Sequence, residues 1–203
     1  RVRAVILGNA MWAKGGGVPK YVKLHMQPAS DLEIKVFVTV AEGMGWLLRR
    51  GDVRGAYPTC RAMLDEQGRK TYAKVDKRFR AGMRPEEAAR YEEMEKNGLD
   101  PFAELDGNLY GHPLASFVFE AFFGSVFLDI GFELAVPGAS TALFKKVVKQ
   151  EDGKEKVKAI GLRFADDFLL GTSERQMRLL EVEMKKRVKL KEDKLFPIGC
   201  FIG

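Results

Sequence analysis

Two turn signals in the second half of the chain limit its fold more than any other feature. Asp152-Gly153 separates the strand-like runs 142–148 and 156–164, and Ala165-Asp166-Asp167 separates the second run from Phe168-Leu169-Leu170. Asp-Gly between two such runs marks a tight hairpin, because those residue types tolerate the positive φ angles that the favoured turns demand. Parallel neighbours would need a crossover of a dozen or more residues, and there is no room for one between these runs. The spacing therefore predicts strands that fold back on one another as antiparallel neighbours.

Helices are punctuated as clearly. Ser30 followed by Glu33 has the form of a capping box and predicts a helix ending near Gly43 to Gly45, although the β-branched run Val36 to Val40 would suit a strand. Trp46 to Val53 reads as a strand that closes at Asp52. Leu114 to Leu128 reads as a buried, aromatic-rich helix, and Ser173 with Gln176 starts another that runs to about Arg187 with Met177, Leu180 and Met184 on its apolar face. Arg1 to Leu7 reads as a strand leading to a loop at Gly15-Gly16-Gly17. Arg61 to Asn108 is dense in both charges and reads as a mostly surface insertion containing one helix, opened by Pro85, Glu86 and Glu87 and closed by Gly98. The expected class is α+β, with a mainly antiparallel sheet and helices packed on one face.

Composition narrows the functional classes. At 203 residues, 46% hydrophobic and 31% charged, the chain is too apolar for intrinsic disorder and has no fibrous period. Cys60 and Cys200 stand too far apart in sequence for a dense disulfide or zinc framework, so an intracellular location (cytoplasm or nucleus) is expected rather than secretion. The apolar stretch Leu114 to Phe132 is broken by Glu120 and Asp129, so no membrane partner is expected. His25 and His112 lack partners at ligand spacing and read as surface or loop residues. The opening Arg1-Val2-Arg3 reads as an excerpt of a longer polypeptide. A net charge of +6 suits a polyanionic partner. The late basic cluster Lys185, Lys186, Arg187, Lys189, Lys191 and Lys194 suits either duplex phosphates or a solvated helix end.

Asp166 and Asp167 are the most informative residues. Adjacent carboxylates in a short turn between apolar strands repel one another unless a cation neutralises them. The plain alternative is a pair of water-exposed turn residues, since Asp is common in turns. Asp52 also ends a strand. If that strand neighbours the hairpin, three carboxylates converge at one sheet edge, with the hard oxygen donors that Mg²⁺ takes. Two ions so held suit phosphoryl transfer.

These residues also carry a resemblance. Asp52-Val53-Arg54-Gly55-Ala56-Tyr57 resembles the first catalytic motif of reverse transcriptases, and Phe164-Ala165-Asp166-Asp167 resembles their aromatic-x-Asp-Asp motif. Leu109-Tyr110-Gly111, Gly131-Phe132, Phe201-Ile202-Gly203, the opening Arg1 to Val5 with Gly8, and the helix-then-Trp spacing of Pro28 to Trp46 are similar to copia-type retrotransposon polymerases in particular. The resemblance implies a reverse-transcriptase palm with partial fingers and no thumb, forming one domain fragment over residues 1–203. Its parts would be a fingers remainder and entry helix (1–45), the first catalytic motif (46–60), the charged insertion (61–108), and the palm with its Asp-Asp hairpin and final helix (109–203).

It further implies an RNA-directed DNA polymerase acting on an RNA template, a DNA primer and deoxynucleoside triphosphates, with two Mg²⁺ ions, or Mn²⁺ in their place. Asp52, Asp166 and Asp167 would be the catalytic and metal-binding residues. Arg3, Val53, Ala56 and Tyr57 would line the nucleotide, Val53 through its carbonyl and Tyr57 as a gate against a 2′-hydroxyl; a core tyrosine and a strand-end arginine are the plain alternatives for Tyr57 and Arg3. One departure stands out: Leu114 occupies the place of the second motif's Gln. An inactive remnant that keeps the fold and binds nucleic acid is the alternative. Arg50-Gly51-Asp52 also spells an adhesion tripeptide, which an intracellular chain would not use.

Overall fold

The computed structural model describes residues 12–13, 28–61, 70–112 and 114–198. In chain order its elements are β1 (Trp12–Ala13), α1 (Asp31–Gly43), β2 (Leu47–Asp52), β3 (Thr71–Lys74), α2 (Lys77–Arg80), α3 (Pro85–Lys96) and β4 (Phe102–Glu104). There follow α4 (Ala115–Asp129), β5 (Glu133–Leu134), β6 (Leu143–Lys149), β7 (Glu155–Phe164), β8 (Asp167–Thr172), α5 (Glu174–Lys185) and β9 (Phe196–Pro197). The protein is α+β, and every strand pair among the described residues is antiparallel. Two compact units form: residues 12–13 with 57–61, 70–112 and 114–118, and residues 28–56 with 119–198. The expected strand at Arg1 to Leu7, the triple-glycine loop and Phe201-Ile202-Gly203 lie outside the described residues.

The first unit holds the charged segment. Instead of lying wholly on the surface, that segment builds a three-stranded sheet in the order β1-β3-β4. Thr71 and Val75 are buried beside it. The helix expected after Pro85 is present as α3, yet it buries no residue. What ties it to α2 is a two-pronged ion pair: Arg80, itself buried, donates from Nη1 and Nη2 to Glu95 at 2.9 and 2.6 Å. His112 is also buried, contrary to the surface expectation; its Nδ1 accepts from the Leu114 N–H at 3.1 Å, and burial lowers its pKa.

The second unit is built on a six-stranded sheet in the order β5-β6-β7-β8-β2-β9. Ser30 caps α1 with the reciprocal bonds of a capping box, its side chain accepting from the Glu33 N–H while the Glu33 carboxylate accepts from the Ser30 N–H. At the start of α5, by contrast, Ser173 makes no side-chain cap bond. Met177, Leu180 and Met184 are buried as their spacing requires.

Helices cover both faces of this sheet, not one. Successive strand residues point to opposite sides. Ile160, Leu162, Leu143 and Leu169 pack with Phe37 and Ala41 of α1. On the other side Phe127 of α4 lies against Gly161, and its ring meets those of Phe144 at 4.6 Å and Phe168 at 6.2 Å. The centre of β7 and nearly all of β8 are consequently buried without alternation.

Two further contacts weld α4 to the sheet. Gly51 of β2 pairs with Phe168 of β8, whose ring lies over it: a Cβ on Gly51 would fall 2.1 Å from the ring's Cζ. That ring also meets Phe123 edge-on at 5.2 Å. Arg163 of β7, 3% exposed, faces Glu120 of α4, also almost fully buried, with Nη2 and Oε2 3.7 Å apart. Arg163 Nη1 donates to the Glu120 carbonyl and lies in the notch left by Gly124, where a Cβ would come within 3.0 Å. A lone glycine inside a helix costs about 1 kcal/mol relative to Ala, and here it makes room for a guanidinium. Burial pulls the Arg163 pKa down, against the opposing charge of Glu120.

Candidate metal centre

The antiparallel register decides which acids meet. Strand β2 runs against β8 so that Gly51 pairs with Phe168 and Asp52 with Asp167. Asp166 occupies the β7–β8 turn, and its carbonyl accepts from the Val53 N–H at 3.0 Å. The acid that ends one strand and the twin acids of the later hairpin therefore stand at a single sheet edge. Ala165, next to Asp166, has a φ of 51°. Left-handed backbone is costly for any residue with a Cβ, so this turn is held in place by the strands on either side.

Basic side chains neutralise two of the three carboxylates. Lys191 donates from Nζ to Asp52 Oδ2 at 2.8 Å, and Arg50 Nη2 stands 3.4 Å from Asp167 Oδ1. The segment that delivers Lys191 is fastened beside β2: the Arg54 N–H donates to the Lys189 carbonyl at 2.8 Å, and Val53 bridges to Leu190. Glu192 and Asp193, immediately after Lys191, both adopt left-handed φ angles, 55° and 54°. A cavity of about 280 Å³ opens beside Asp52, walled by Arg50, Lys191 and Glu192 on its polar side and by Phe196, Pro197 and Ile198 on its apolar side. Sequence reading missed Arg50 and Lys191 as partners of the acids; only the strand register and the loop after α5 bring them there.

Asp167 Oδ1 is buried and accepts no hydrogen bond. Burial, offset in part by Arg50 and reinforced by the charges of Asp52 and Asp166, holds the Asp167 carboxyl above the usual carboxylate range. An acid whose folded pKa is raised binds extra protons in the native state. Its contribution to stability is full below the unfolded value of 3.8 and is lost as pH rises through the raised value. Asp167→Asn is accordingly expected to be more stable than the parent at pH 7, with the advantage vanishing toward pH 3, in urea unfolding midpoints collected across that range.

The donor chemistry fits a divalent ion. Three carboxylates supply hard oxygens, and the buried, unbonded Oδ1 of Asp167 is an atom that a cation would satisfy. The acids do not, however, close round a common point: among the described residues no three His, Cys, Asp or Glu side chains form a ready metal cage.

The other expected site residues are dispersed. Val53 and Ala56 are buried in the second unit. Tyr57 belongs to the first unit, half-buried, with its ring 4.8 Å from that of Tyr110. Arg3 lies outside the described residues. Leu114, in place of the motif Gln, is buried. The late basic cluster is largely paired within the chain, Lys185 with Glu181, Lys186 and Arg187 with Glu183, and Lys194 with Glu192, which favours the helix-end reading. No helix among the described residues is long and apolar enough to cross a membrane. Comparison of the chain with family models, curated proteins and solved structures gives no match.

Proposed function

We propose that the chain is the palm, with part of the fingers, of a copia-type reverse transcriptase that adds deoxynucleoside monophosphates to a primer 3′ end on an RNA template. The observation that carries this reading is the register pairing of Asp52 with Asp167, with Asp166 in the adjoining turn. It puts the acids of two separate motifs at one edge, as a nucleotidyl-transfer site needs. Asp52 and Asp166 would hold Mg²⁺, supported by Asp167. When bound, the metal supplies electrostatic stabilisation of the phosphoryl group in flight.

The chain's own residues contribute position and charge. The Val53 N–H to Asp166 carbonyl bond fixes the hairpin tip against β2, and the Phe168 ring over Gly51 stiffens the floor below the acids. Arg50 and Lys191 keep the carboxylate edge from self-repulsion. Tyr57 would gate the sugar in this reading.

Primer extension on an RNA template with Mg²⁺, by this chain within its longer polypeptide, tests the proposal. The expected result is deoxynucleotide incorporation that Asp166→Asn abolishes while the variant stays folded. Duplex binding with no extension by the parent chain would sink it. That outcome would instead support an inactive remnant, a reading favoured by one observation: a buried, apolar Leu114 where the family has a Gln.

A further inference from the structure

Helix α1 is apolar on two sides. Phe37 and Ala41, with Ile34 and Val38 beside them, face the sheet. On the outer side Leu32 is 70% exposed, Val36 41%, Val40 39% and Met44, just past the helix end, 47%. These four are spaced by four residues, so they form one i±4 ridge about 18 Å long. A solvent-facing helix ordinarily carries polar residues there. Leu47, 38% exposed, continues the apolar surface into β2. A contiguous exposed apolar strip is the mark of an interaction surface rather than of scattered surface leucines.

The charges beside the ridge identify the occupant. Lys35 and Glu42 lie along the same flank of the strip, one near each end, and neither forms an ion pair among the described residues. In an antiparallel helix pair each flank meets the same flank of its partner. A twofold axis near the middle of the helix therefore sets Val36 against Val40, Leu32 against Met44, and Lys35 of each copy beside Glu42 of the other. The flank is complementary to itself in that orientation only; a parallel pair would set lysine beside lysine. Ridges of i±4 spacing interdigitate in the commonest class of helix packing, and a twofold contact needs such a self-complementary patch.

We infer that the outer ridge of α1 is a homotypic docking surface on which a second copy of the chain lies antiparallel. One helix face is small beside the roughly 1,200–2,000 Å² of a standard stable interface, so the dimer is a weak, concentration-dependent one. The inference is independent of the polymerase reading, since neither Lys35, Glu42 nor the ridge belongs to the carboxylate edge.

Sedimentation velocity of the purified chain over about 10–500 µM tests it. The expected result is a monomer–dimer equilibrium that Val36→Glu weakens at least tenfold. The thermal melting curve of the variant should be unchanged at low concentration, because the residue is solvent-facing. Lys35→Glu and Glu42→Lys should each weaken self-association by about three- to tenfold. An equimolar mixture of those two variants should regain it, because both cross-copy pairs in the mixed dimer are then opposite in charge. Three results would each overturn the inference: a chain that stays monomeric throughout the range, a dimer indifferent to Val36→Glu, or charge variants whose mixture does not recover association. Binding of a monomeric chain to neutral phospholipid vesicles through the same ridge would count against it as well, by showing a lipid occupant.

Discussion

Replacing Arg163 by methionine is expected to cost about 3–5 kcal/mol of stability, because Glu120 would then be a buried carboxylate without its counter-charge. The cost should fall in acid. In the variant, burial would raise the folded pKa of Glu120 above its unfolded value, so stability would be regained as pH falls and Glu120 takes up a proton. Glu120→Leu added to Arg163→Met should recover most of the loss, since a buried ion pair replaced whole by apolar groups of similar volume is often neutral or better. Chemical denaturation of both variants at pH 7 and pH 4 would check this. If the double variant were as unstable as the single one, the carbonyl contact with Arg163 and the Gly124 notch would matter more to stability than charge balance.

The second large effect lies directly beneath the carboxylates. Gly51→Ala would set a methyl group about where the Phe168 ring now lies, 2.1 Å from Cζ. A rigid ring flanked by Phe123 and Phe127 has nowhere to retreat. Overpacking of this kind typically costs 1–3 kcal/mol, and the contact is severe enough to place the expected loss at about 3 kcal/mol. Because Gly51 precedes Asp52 and Phe168 follows Asp167, displacing the ring would also shift the acid pair. Phe168→Leu shortens the side chain that collides. The double variant Gly51→Ala with Phe168→Leu should therefore be less destabilised than the sum of the single effects by at least about 1 kcal/mol, the range of coupling found between residues in contact. Urea midpoints of the three variants give the coupling, and strict additivity would show that the ring does not confine Gly51.

Local rules explain what was legible in the residues alone. The Asp152-Gly153 hairpin, the Asp166 turn, the Ser30 box and the apolar faces of α1, α4 and α5 follow from short-range chemistry, and the structure places each where that chemistry requires. The meeting of Asp52 with Asp167 was conditional on strand neighbourhood, which is a long-range fact. What was not legible needed partners distant in sequence. Arg163 reads as a surface residue until Glu120 and Gly124 are brought across from α4. Gly51 reads as a turn bracket until Phe168 lies over it. His112 is polar and lies in a loop, yet it is buried. Helices on both faces were missed because the apolar run in β7 is short enough to suit either a one-sided or a two-sided strand. The charged stretch from Arg61 hid a sheet because its strands are only three and four residues long.

The terminal strands of the large sheet bear on how copies of this protein can and cannot adhere. At one end β5 offers two residues, Glu133 and Leu134; at the other β9 offers two, of which Pro197 lacks an N–H to donate. Neither border can template a long run of backbone bonding, so sheet-to-sheet growth into fibrils is disfavoured at both. Reversible contacts between molecules are thereby left to side-chain surfaces.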